Sequence, residues 1–354
     1  MIRKEEFKMK KIFGTFMIIL SIMMTAAAAC SGAEEQDASL SPLPVKVLLL
    51  PKFEVGEMAG DFPGEAQYYY EQYLTGAEEY TVANSSDGVQ LYYKDGIALC
   101  VFGMGKVNAA LGTMAVLTDK RFDFTDAYII STGCAGSSVD TTVMGDVFII
   151  TSAVDFDLGH HADSREIADP EGTTWFHDED FDDAAVVYLN PELTDKVYSL
   201  VKDTPLETTE RTRNYMRQAF DGAEWAIRDP QVMKGTTVTS DNYWKGVYEH
   251  KNALLMTETY QCPDPYVMTE MEDVAVARAA DWVGLLDHLI IIRDSVNMDA
   301  FMLGATPESL WGDAEAMELA SEDSVEAADI FAVAMKNNFD VGRIIIDKIL
   351  LGEF

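Results

Sequence analysis

The sequence predicts an α/β fold with a largely parallel sheet, because apolar strands alternate with amphipathic helical segments along the chain. Short, nearly continuous apolar runs at residues 45–50, 128–130 and 286–292 are typical of strands that are buried on both faces of a sheet. A chain of 354 residues with 48% hydrophobic content is long enough to bury a large core. One large domain or two small domains would fit this length.

The first half of the chain contains a helix, a hairpin and a glycine loop. Residues 64–76 are aromatic and polar and predict a helix with its connecting loops, whereas Lys94-Asp-Gly96 predicts a hairpin between two short strands. Gly103 and Gly105 separate the second of these strands from an amphipathic helix that begins near Lys106. The free N–H groups at the start of that helix would lie beside a ligand.

The run of residues 131–138 contains no large side chain and directly follows the apolar residues 128–130. We expect it to form a turn before a second strand at 144–150, because small residues let backbone N–H groups approach a ligand closely. In an open parallel sheet, ligands bind just past the carboxyl ends of the strands, where this turn would lie. The sequence therefore predicts that the turn forms part of a binding site.

The second half of the chain continues the alternation of helices and strands. Helices are expected at residues 191–201, 209–220, 267–280, 322–336 and 340–351, with strands at 234–239 and 286–292. In the helix predicted at 267–280, Glu272 is the only charge on an otherwise apolar stripe. A carboxylate in such a place is costly unless another group satisfies it, so Glu272 is a candidate functional residue.

The composition excludes several classes of function. The net charge is −34, from sixty acidic and twenty-six basic residues, and such a surface repels phosphate backbones, so we do not expect nucleic-acid binding. Cys100, Cys134 and Cys262 form no Cys-x-x-Cys pair, which suggests neither a disulfide framework nor a zinc site. No cofactor and no metal are expected.

The N-terminus has the pattern of a secretory signal. Residues 1–11 are basic, 12–24 are apolar and too short for a comfortable transmembrane span, and small residues precede Cys30. We expect an exported protein, lipid-anchored through Cys30 to the bacterial cell envelope, with 1–29 as the signal peptide and 30–43 as a polar linker. Ordinary cleavage near the alanines, with Cys30 incidental, is the alternative.

Several motifs, in the correct order, resemble those of 5′-methylthioadenosine/S-adenosylhomocysteine nucleosidases. They are the glycine loop at 102–111, Thr132-Gly-Cys-Ala-Gly136, Met144-Gly-Asp-Val147, Thr239-Ser-Asp-Asn-Tyr243 and Met271-Glu272. Within that superfamily the chain is more similar to the bacterial purine nucleoside permease family, on Phe53-Glu54, the Thr-Ser-Asp-x-Tyr form, Met268-Thr-Glu-Met-Glu-Asp273 and Ile-Ile-Ile-Arg293. The resemblance implies one three-layer α/β/α domain of the nucleoside phosphorylase type over 44–354, with a mixed, largely parallel sheet and a family-variable insertion at 151–230.

The resemblance also implies a site for a purine nucleoside. Glu272 would bind the ribose hydroxyls, Tyr243 would stack on the purine, and Met271 would pack against the sugar. The residues that would line the sugar and anion side are Gly103, Gly105, Cys134, Ala135 and Gly136. The alternatives are a solvated Glu272 at a helix edge and ordinary core packing of Tyr243 and Met271.

Two departures from the nucleosidase pattern bear on catalysis. Asn297 stands where that pattern has an Asp that protonates purine N7, and an amide can hydrogen-bond N7 or a 6-oxo group but cannot act as a general acid. Asp299 would substitute, or the site would favour 6-oxopurines. Near the first strand, Glu54 and Glu57 stand where phosphorylases use arginine, which suits activation of water better than binding of phosphate. The choice between these two glutamates is open.

We therefore predict an envelope-anchored protein that binds purine nucleosides and cleaves their N-glycosidic bond for salvage, as a nucleosidase in preference to a phosphorylase. The alternative is a non-enzymatic nucleoside-binding component of uptake, which would need a membrane transporter as its partner. The replacement of the general acid by Asn297 favours this alternative. A homo-oligomer is compatible with both hypotheses.

Overall fold

A ten-stranded mixed sheet is the framework of the protein. The computed structural model describes residues 41–83, 85, 88–169, 172–220, 227–308 and 324–354, with side chains from Ile330 onward in the last range. The predicted signal peptide, Cys30 and nearly all of the predicted linker lie outside these residues. The strands are β1 (Leu43–Pro44), β2 (Val47–Leu50), β3 (Glu78–Thr81), β4 (Gln90–Lys94), β5 (Ile97–Cys100), β6 (Phe122–Asp123), β7 (Tyr128–Ser137), β8 (Val147–Asp155), β9 (His160–His161), β10 (Trp175–Phe176), β11 (Val186–Tyr188), β12 (Val232–Thr239), β13 (Tyr266–Glu270) and β14 (Leu289–Met298).

The strand order is β11-β8-β12-β13-β7-β2-β5-β4-β3, and β14 pairs with both β7 and β8. The strands β8, β12, β13, β7 and β14 therefore form a closed ring at one end of the sheet. The α/β class and the mixed sheet are confirmed, but only half of the strand pairs in this sheet are parallel. The hairpin of β4 and β5, which the sequence predicts, and the closure of the ring introduce the antiparallel pairs. Because the sheet closes, the three-layer description stays a prediction.

Helices pack against both faces of the sheet. They are α1 (Gln67–Tyr69, continued by a π-helical turn at Tyr70–Leu74), α2 (Lys106–Leu117), α3 (Asp182–Ala185), α4 (Pro191–Val201), α5 (Glu210–Ala219), α6 (Val247–Thr259), α7 (Asp273–Trp282) and α8 (Ser324–Leu350). Successive side chains of a strand point to opposite faces, and β2 shows the result. Leu48 and Leu50 belong to the core that α2 and α7 cover, whereas Val47 and Leu49 belong to the core under α4 and α8.

The predicted turn at residues 131–138 is wrong, because β7 continues to Ser137. Small residues are needed here for a different reason. A Cβ on Gly133 would lie 2.3 Å from Glu65 Oε1, and a Cβ on Gly136 would lie 2.7 Å from Asn297 Oδ1. Residues 131–137 of β7 are therefore free of large side chains because side chains from other elements fill the space beside them.

The prediction of one helix at 267–280 is also wrong. Strand β13 occupies Tyr266–Glu270, and helix α7 begins only at Asp273. The β-branched and aromatic start of this segment pairs with β12 and β7, and these long-range hydrogen bonds outweigh the local helical pattern. The two closing helices are instead one helix, Ser324–Leu350, and the last strand is displaced to Leu289–Met298. Among the described residues, no helix is long and apolar enough to cross a membrane.

Candidate functional site

A cavity of about 250 Å³ opens where the ends of β7, β13 and β14 meet the loop that precedes α6. This volume is slightly below the roughly 300–1,000 Å³ of most small-molecule sites. The residues that line the cavity are Lys52, Phe53, Glu65, Met104, Cys134, Ala135, Gly136, Asn242, Tyr243, Trp244, Thr269, Glu270, Met271, Glu272, Arg293, Val296, Asn297 and Asp299. Eight of the predicted site residues lie in this lining: Cys134, Ala135, Gly136, Tyr243, Met271, Glu272, Asn297 and Asp299.

A buried arginine organises the floor of the cavity. Arg293, on β14, is 1% exposed and donates from Nε and Nη2 to the carboxylate of Asp273 at 3.0 and 2.9 Å. The Nη2 group also reaches Glu272 Oε2 at 3.0 Å and Glu270 Oε2 at 3.3 Å, and Nη1 donates to the carbonyl of Cys134. Burial and the neighbouring charge of Asp273 raise the pKa of Glu270 to about 7.

Glu272 lies at the start of α7 and is buried, with 3% exposure. The prediction that Glu272 lies on the apolar stripe of a helix is wrong, because the helix begins only after it. The prediction that a buried carboxylate here needs hydrogen-bond partners is confirmed. One oxygen accepts the backbone N–H of Gly105 at 2.9 Å, and the other accepts Arg293 Nη2. A carboxylate has about four acceptor positions, so Glu272 keeps capacity for two hydroxyl groups of a ligand.

Glu65 is a second buried carboxylate in the lining, and no sequence motif identified it. Its Oε1 accepts the N–H of Cys134 at 2.9 Å, and its Oε2 accepts the N–H of Lys52 at 2.6 Å and of Phe53 at 3.3 Å. Burial raises the pKa of Glu65, although the charge of Arg293 opposes this change. The available signal was the run of small residues in β7, which leaves room for a long side chain from another segment.

The structure places Glu54 and Glu57 outside the lining. The carboxylate of Glu54 accepts the backbone N–H groups of Val55, Gly64, Ala66 and Gln67, so it holds the loop that leads into α1. Glu57 is exposed on the same loop. The structure therefore gives no support to the predicted use of either residue as the base, and Glu65 is the glutamate of this region that lines the cavity.

Tyr243 and Asn297 form a pair at the mouth of the cavity. The Asn297 side-chain amide donates to the hydroxyl of Tyr243 at 2.6 Å. The tyrosine is 58% exposed, and burial of its hydroxyl raises its pKa to about 12, so the hydroxyl stays protonated at neutral pH. The aromatic ring and the amide together offer a stacking face and a hydrogen-bonding edge to a planar ligand.

Asp299 lies on the same wall, two residues beyond Asn297, and is buried. It accepts the N–H of Val139 at 3.1 Å on Oδ1, and it binds His250 Nδ1 at 2.6 Å and the Tyr266 hydroxyl at 2.9 Å on Oδ2. His250 was not among the predicted site residues, because it is 49 positions away from Asp299 and carries no local motif.

The glycine loop contributes Met104 to the cavity lining, whereas Gly103 and Gly105, which were predicted to line the site, are not part of the lining. At the start of the helix α2 that follows, two backbone N–H groups already have carboxylate acceptors. The N–H of Gly105 is taken by Glu272 and that of Lys106 by Asp241 at 2.7 Å. The Lys106 ammonium binds Asp155 and Asp157 at 2.6 and 2.8 Å.

The closed ring and the site at its end define the class of protein, which is an α/β protein with the fold of nucleosidases. A 5′-methylthioadenosine/S-adenosylhomocysteine nucleosidase from Neisseria meningitidis, solved with methylthio-immucillin-A, superposes with a TM-score of 0.51 at 14% identity over 86% of this chain and 99% of that one. A futalosine hydrolase mutant from Helicobacter pylori gives 0.51 at 12% identity over 86% and 99%. At these identities the similarity shows the fold alone.

The family follows from the sequence. The profile of the purine nucleoside permease family matches residues 44–352, and the chain belongs to this family. A probable purine nucleoside permease of Schizosaccharomyces pombe is 28% identical over 220 residues, which are 56% of this chain and 63% of the relative. The chain thus spans less than two thirds of that relative. A 5′-methylthioadenosine/S-adenosylhomocysteine nucleosidase from Anoxybacillus flavithermus is 30% identical over 200 residues, or 56% of this chain and 68% of the relative.

Proposed function

We propose that this protein binds purine nucleosides in the cavity beside Arg293 and hydrolyses their N-glycosidic bond. The observation that carries the proposal is the meeting of three groups in one cavity: the buried carboxylate Glu65, the buried carboxylate Glu272, and the Tyr243–Asn297 pair. They match the three parts of the reaction, which are an attacking water, a ribose diol and a purine. Family membership and the nucleosidase fold support the same substrate class.

Glu272 is the proposed ribose ligand. Its contacts with Arg293 and the Gly105 N–H fix the carboxylate before a ligand arrives, so little ordering entropy is lost on binding. A vicinal diol supplies two O–H donors, which the remaining acceptor positions of the carboxylate can take. Met271 is next to it in the lining and would pack on the apolar side of the sugar.

Tyr243 and Asn297 are the proposed purine ligands. One amide hydrogen of Asn297 is used on Tyr243, which leaves its carbonyl oxygen and the second hydrogen for the base. An amide that can both donate and accept matches the N7 and 6-oxo edge of a 6-oxopurine. We therefore favour nucleosides such as inosine and guanosine as substrates.

Glu65 is the proposed general base. It would take a proton from water while the water oxygen bonds to C1′ and the bond from C1′ to purine N9 breaks, and the departing purine would gain a proton. A carboxyl group whose pKa is raised by burial is a stronger base than an exposed one, which suits this step near neutral pH. This role replaces the one that the sequence suggested for Glu54 or Glu57.

The charges of the site support hydrolysis in preference to phosphorolysis. Four carboxyl groups line the cavity, from Glu65, Glu270, Glu272 and Asp299, against the two cations Lys52 and Arg293. Both cations already donate to protein acceptors, since Lys52 binds Ser131 and the Leu50 carbonyl. A phosphate would add its negative charge to these four carboxyl groups and would compete with them for the two cations, which costs several kcal/mol or more by the usual scale of buried charge.

A non-enzymatic nucleoside-binding role in uptake is the second candidate, and Asn297 favours it because an amide cannot protonate the leaving base. Such a role would need a membrane transporter as partner. For either role we propose export and a lipid anchor at Cys30, on the N-terminal pattern of basic, apolar and small residues. A homo-oligomer is compatible with both.

The test is a panel of inosine, guanosine, adenosine and uridine, incubated with the purified protein with and without phosphate, with release of free base as the readout. The proposal expects hypoxanthine from inosine without phosphate. Release that strictly requires phosphate would indicate a phosphorylase, and binding without release would indicate the uptake role. The Glu272→Ala variant should bind inosine more weakly; equal binding would contradict the ribose assignment.

A further inference from the structure

A chain of hydrogen bonds connects the cavity with solvent on the wall that holds Asn297. Asp299 lines the cavity and is 1% exposed, and its Oδ2 binds His250 Nδ1 at 2.6 Å. The other ring nitrogen, Nε2, lies 3.0 Å from Asp140 Oδ2. The Asp140 side chain is 60% exposed. Two consecutive hydrogen bonds therefore connect Asp299, in the cavity lining, with a carboxylate that is in contact with solvent.

The two inner members of this chain, His250 and Asp299, are held in place by further contacts. His250 lies near the start of α6 and is itself 4% exposed, and the backbone N–H of Gly246 donates to the carbonyl of Asp299 at 2.7 Å. The Tyr266 hydroxyl donates to the same oxygen of Asp299 that His250 binds, and the Tyr266 ring packs against the imidazole edge to face.

None of the residues assigned so far supplies the proton that the departing purine needs in the proposed hydrolysis. Departure of the purine generates negative charge on its ring, and a proton must reach that ring. Asn297 can hydrogen-bond the ring but has no proton to lose at neutral pH. Asp299 is two residues further along the same strand end and faces the same cavity, so it is the acidic group adjacent to the base-binding pair.

We propose that Asp140, His250 and Asp299 form a proton relay that connects bulk solvent with the purine end of the nucleoside cavity. In the resting state the imidazolium holds the proton between the two carboxylates. When the bond from C1′ to N9 breaks, the proton moves from His250 Nδ1 to Asp299 and from Asp299 to the purine nitrogen, directly or through one water. His250 is then reprotonated from solvent through Asp140. The catalytic part of the relay rests on the proposed hydrolysis.

The charges around His250 favour its protonated form. Burial disfavours the imidazolium, but the hydrogen bonds and charges of Asp299 and Asp140 outweigh it and raise the pKa of His250 to about 9. Lys245, on the preceding loop, lies close enough to Asp299 for the charges to interact, and Tyr266 on β13 stays protonated because burial raises its pKa far above the ordinary value. Glu249 on the same helix is bonded to Asn252.

The decisive variant is His250→Asn, because an asparagine amide can still donate toward Asp299 but cannot carry a proton. His177→Asn is the matched control, since His177 pairs with Asp182 on the surface, away from the cavity lining. For each protein, kcat, KM and the Kd for inosine are measured across pH. We expect His250→Asn to lose about 100-fold in kcat, with little change in Kd, and to lose the fall of rate as pH rises through about 9. Asp140→Asn should keep that fall but shift it to lower pH, because the imidazolium loses one carboxylate.

A second readout does not depend on turnover. The ring of His250, assigned by comparison with the His250→Asn spectrum, is titrated by NMR with and without hypoxanthine. The relay predicts a pKa above the ordinary value that changes when hypoxanthine binds. If the wild type binds nucleosides without cleaving them but the titration still shifts, hydrolysis is wrong and the proton linkage stands. The relay is wrong if the pKa of His250 is the same with and without hypoxanthine, or if the His250→Asn variant has an unchanged kcat and pH profile.

Discussion

The side-chain amide of Asn297 donates a hydrogen bond of 2.6 Å to the hydroxyl of Tyr243, and this contact joins the end of β14 to the loop that precedes α6. With its nitrogen turned to Tyr243, Asn297 places its oxygen against Gly136, where a Cβ would lie 2.7 Å away. The hydrogen bond to Tyr243 orients the amide on one side, and on the other side Gly136 leaves room for its oxygen. A fixed amide reads the edge of a purine at lower entropic cost than a mobile one.

The Tyr243→Phe variant tests the first side of this arrangement. It keeps the stacking ring but frees the Asn297 amide, so we expect inosine binding to weaken by about three- to tenfold, the value of one typical hydrogen bond. Isothermal titration calorimetry measures the Kd. Tyr248→Phe, at an exposed position of α6 beside Lys251, is the control and should bind like the wild type. Equal affinity of Tyr243→Phe and wild type would mean that the contact does not orient the amide.

The Gly136→Ala variant tests the second side. The added methyl would displace Asn297, and we expect inosine affinity to fall about tenfold while the chain stays folded. If the loss acts through Asn297, then Gly136→Ala combined with Asn297→Ala should be no weaker than Asn297→Ala alone. Additive losses in this double-mutant cycle would show that the methyl blocks the ligand directly.

The Glu272→Gln variant tests the assignment of the ribose. Hydrogen bonds to a charged group contribute about 1.5–3 kcal/mol, so we expect inosine to bind about 10- to 100-fold more weakly. Hypoxanthine has no ribose and serves as the internal control, with a nearly unchanged Kd on the same variant. A parallel loss for nucleoside and free base would instead place Glu272 near the purine or indicate a collapsed cavity around Arg293.

Stability should depend on pH through His250. Its pKa in the folded protein is raised to about 9 from an ordinary value of 6.5. The stabilisation is therefore complete below pH 6.5 and is lost as the pH rises through about 9, by about 3 kcal/mol in total. Urea denaturation at a series of pH values measures this loss. His250→Asn should lack this part of the pH dependence, and the same slope in both proteins would contradict the predicted protonation.

Much of the site was predictable from short motifs. Tyr243, Met271, Glu272 and Asn297 were identified from their local sequence, and the structure brings all four to one cavity. Their individual roles stay predictions. Helix α4 was also predicted with its correct bounds, because Asn190 and Pro191 are strong start signals and Asn190 does accept the N–H groups of Glu192 and Leu193.

The parts that were missed depend on contacts between distant segments. Glu65 fits beside β7 because Gly133 has no side chain there. His250 is a candidate functional residue because it contacts Asp140 and Asp299, which lie on other segments. The error at residues 267–280 has the same origin. Sheet pairing with β12 decided between strand and helix, and no local pattern contains that information.

The central claim is that Glu65 activates water for the cleavage of a bound purine nucleoside. The most direct measurement is the rate of hypoxanthine release from inosine in phosphate-free buffer by the wild type and by Glu65→Gln, with the Kd for inosine measured on both. Exposed Glu57, outside the cavity lining, provides the control Glu57→Gln. We predict release by the wild type and by Glu57→Gln, and a loss of about 100-fold or more in Glu65→Gln with a similar Kd. Equal release by Glu65→Gln, or no release by the wild type, would contradict the claim.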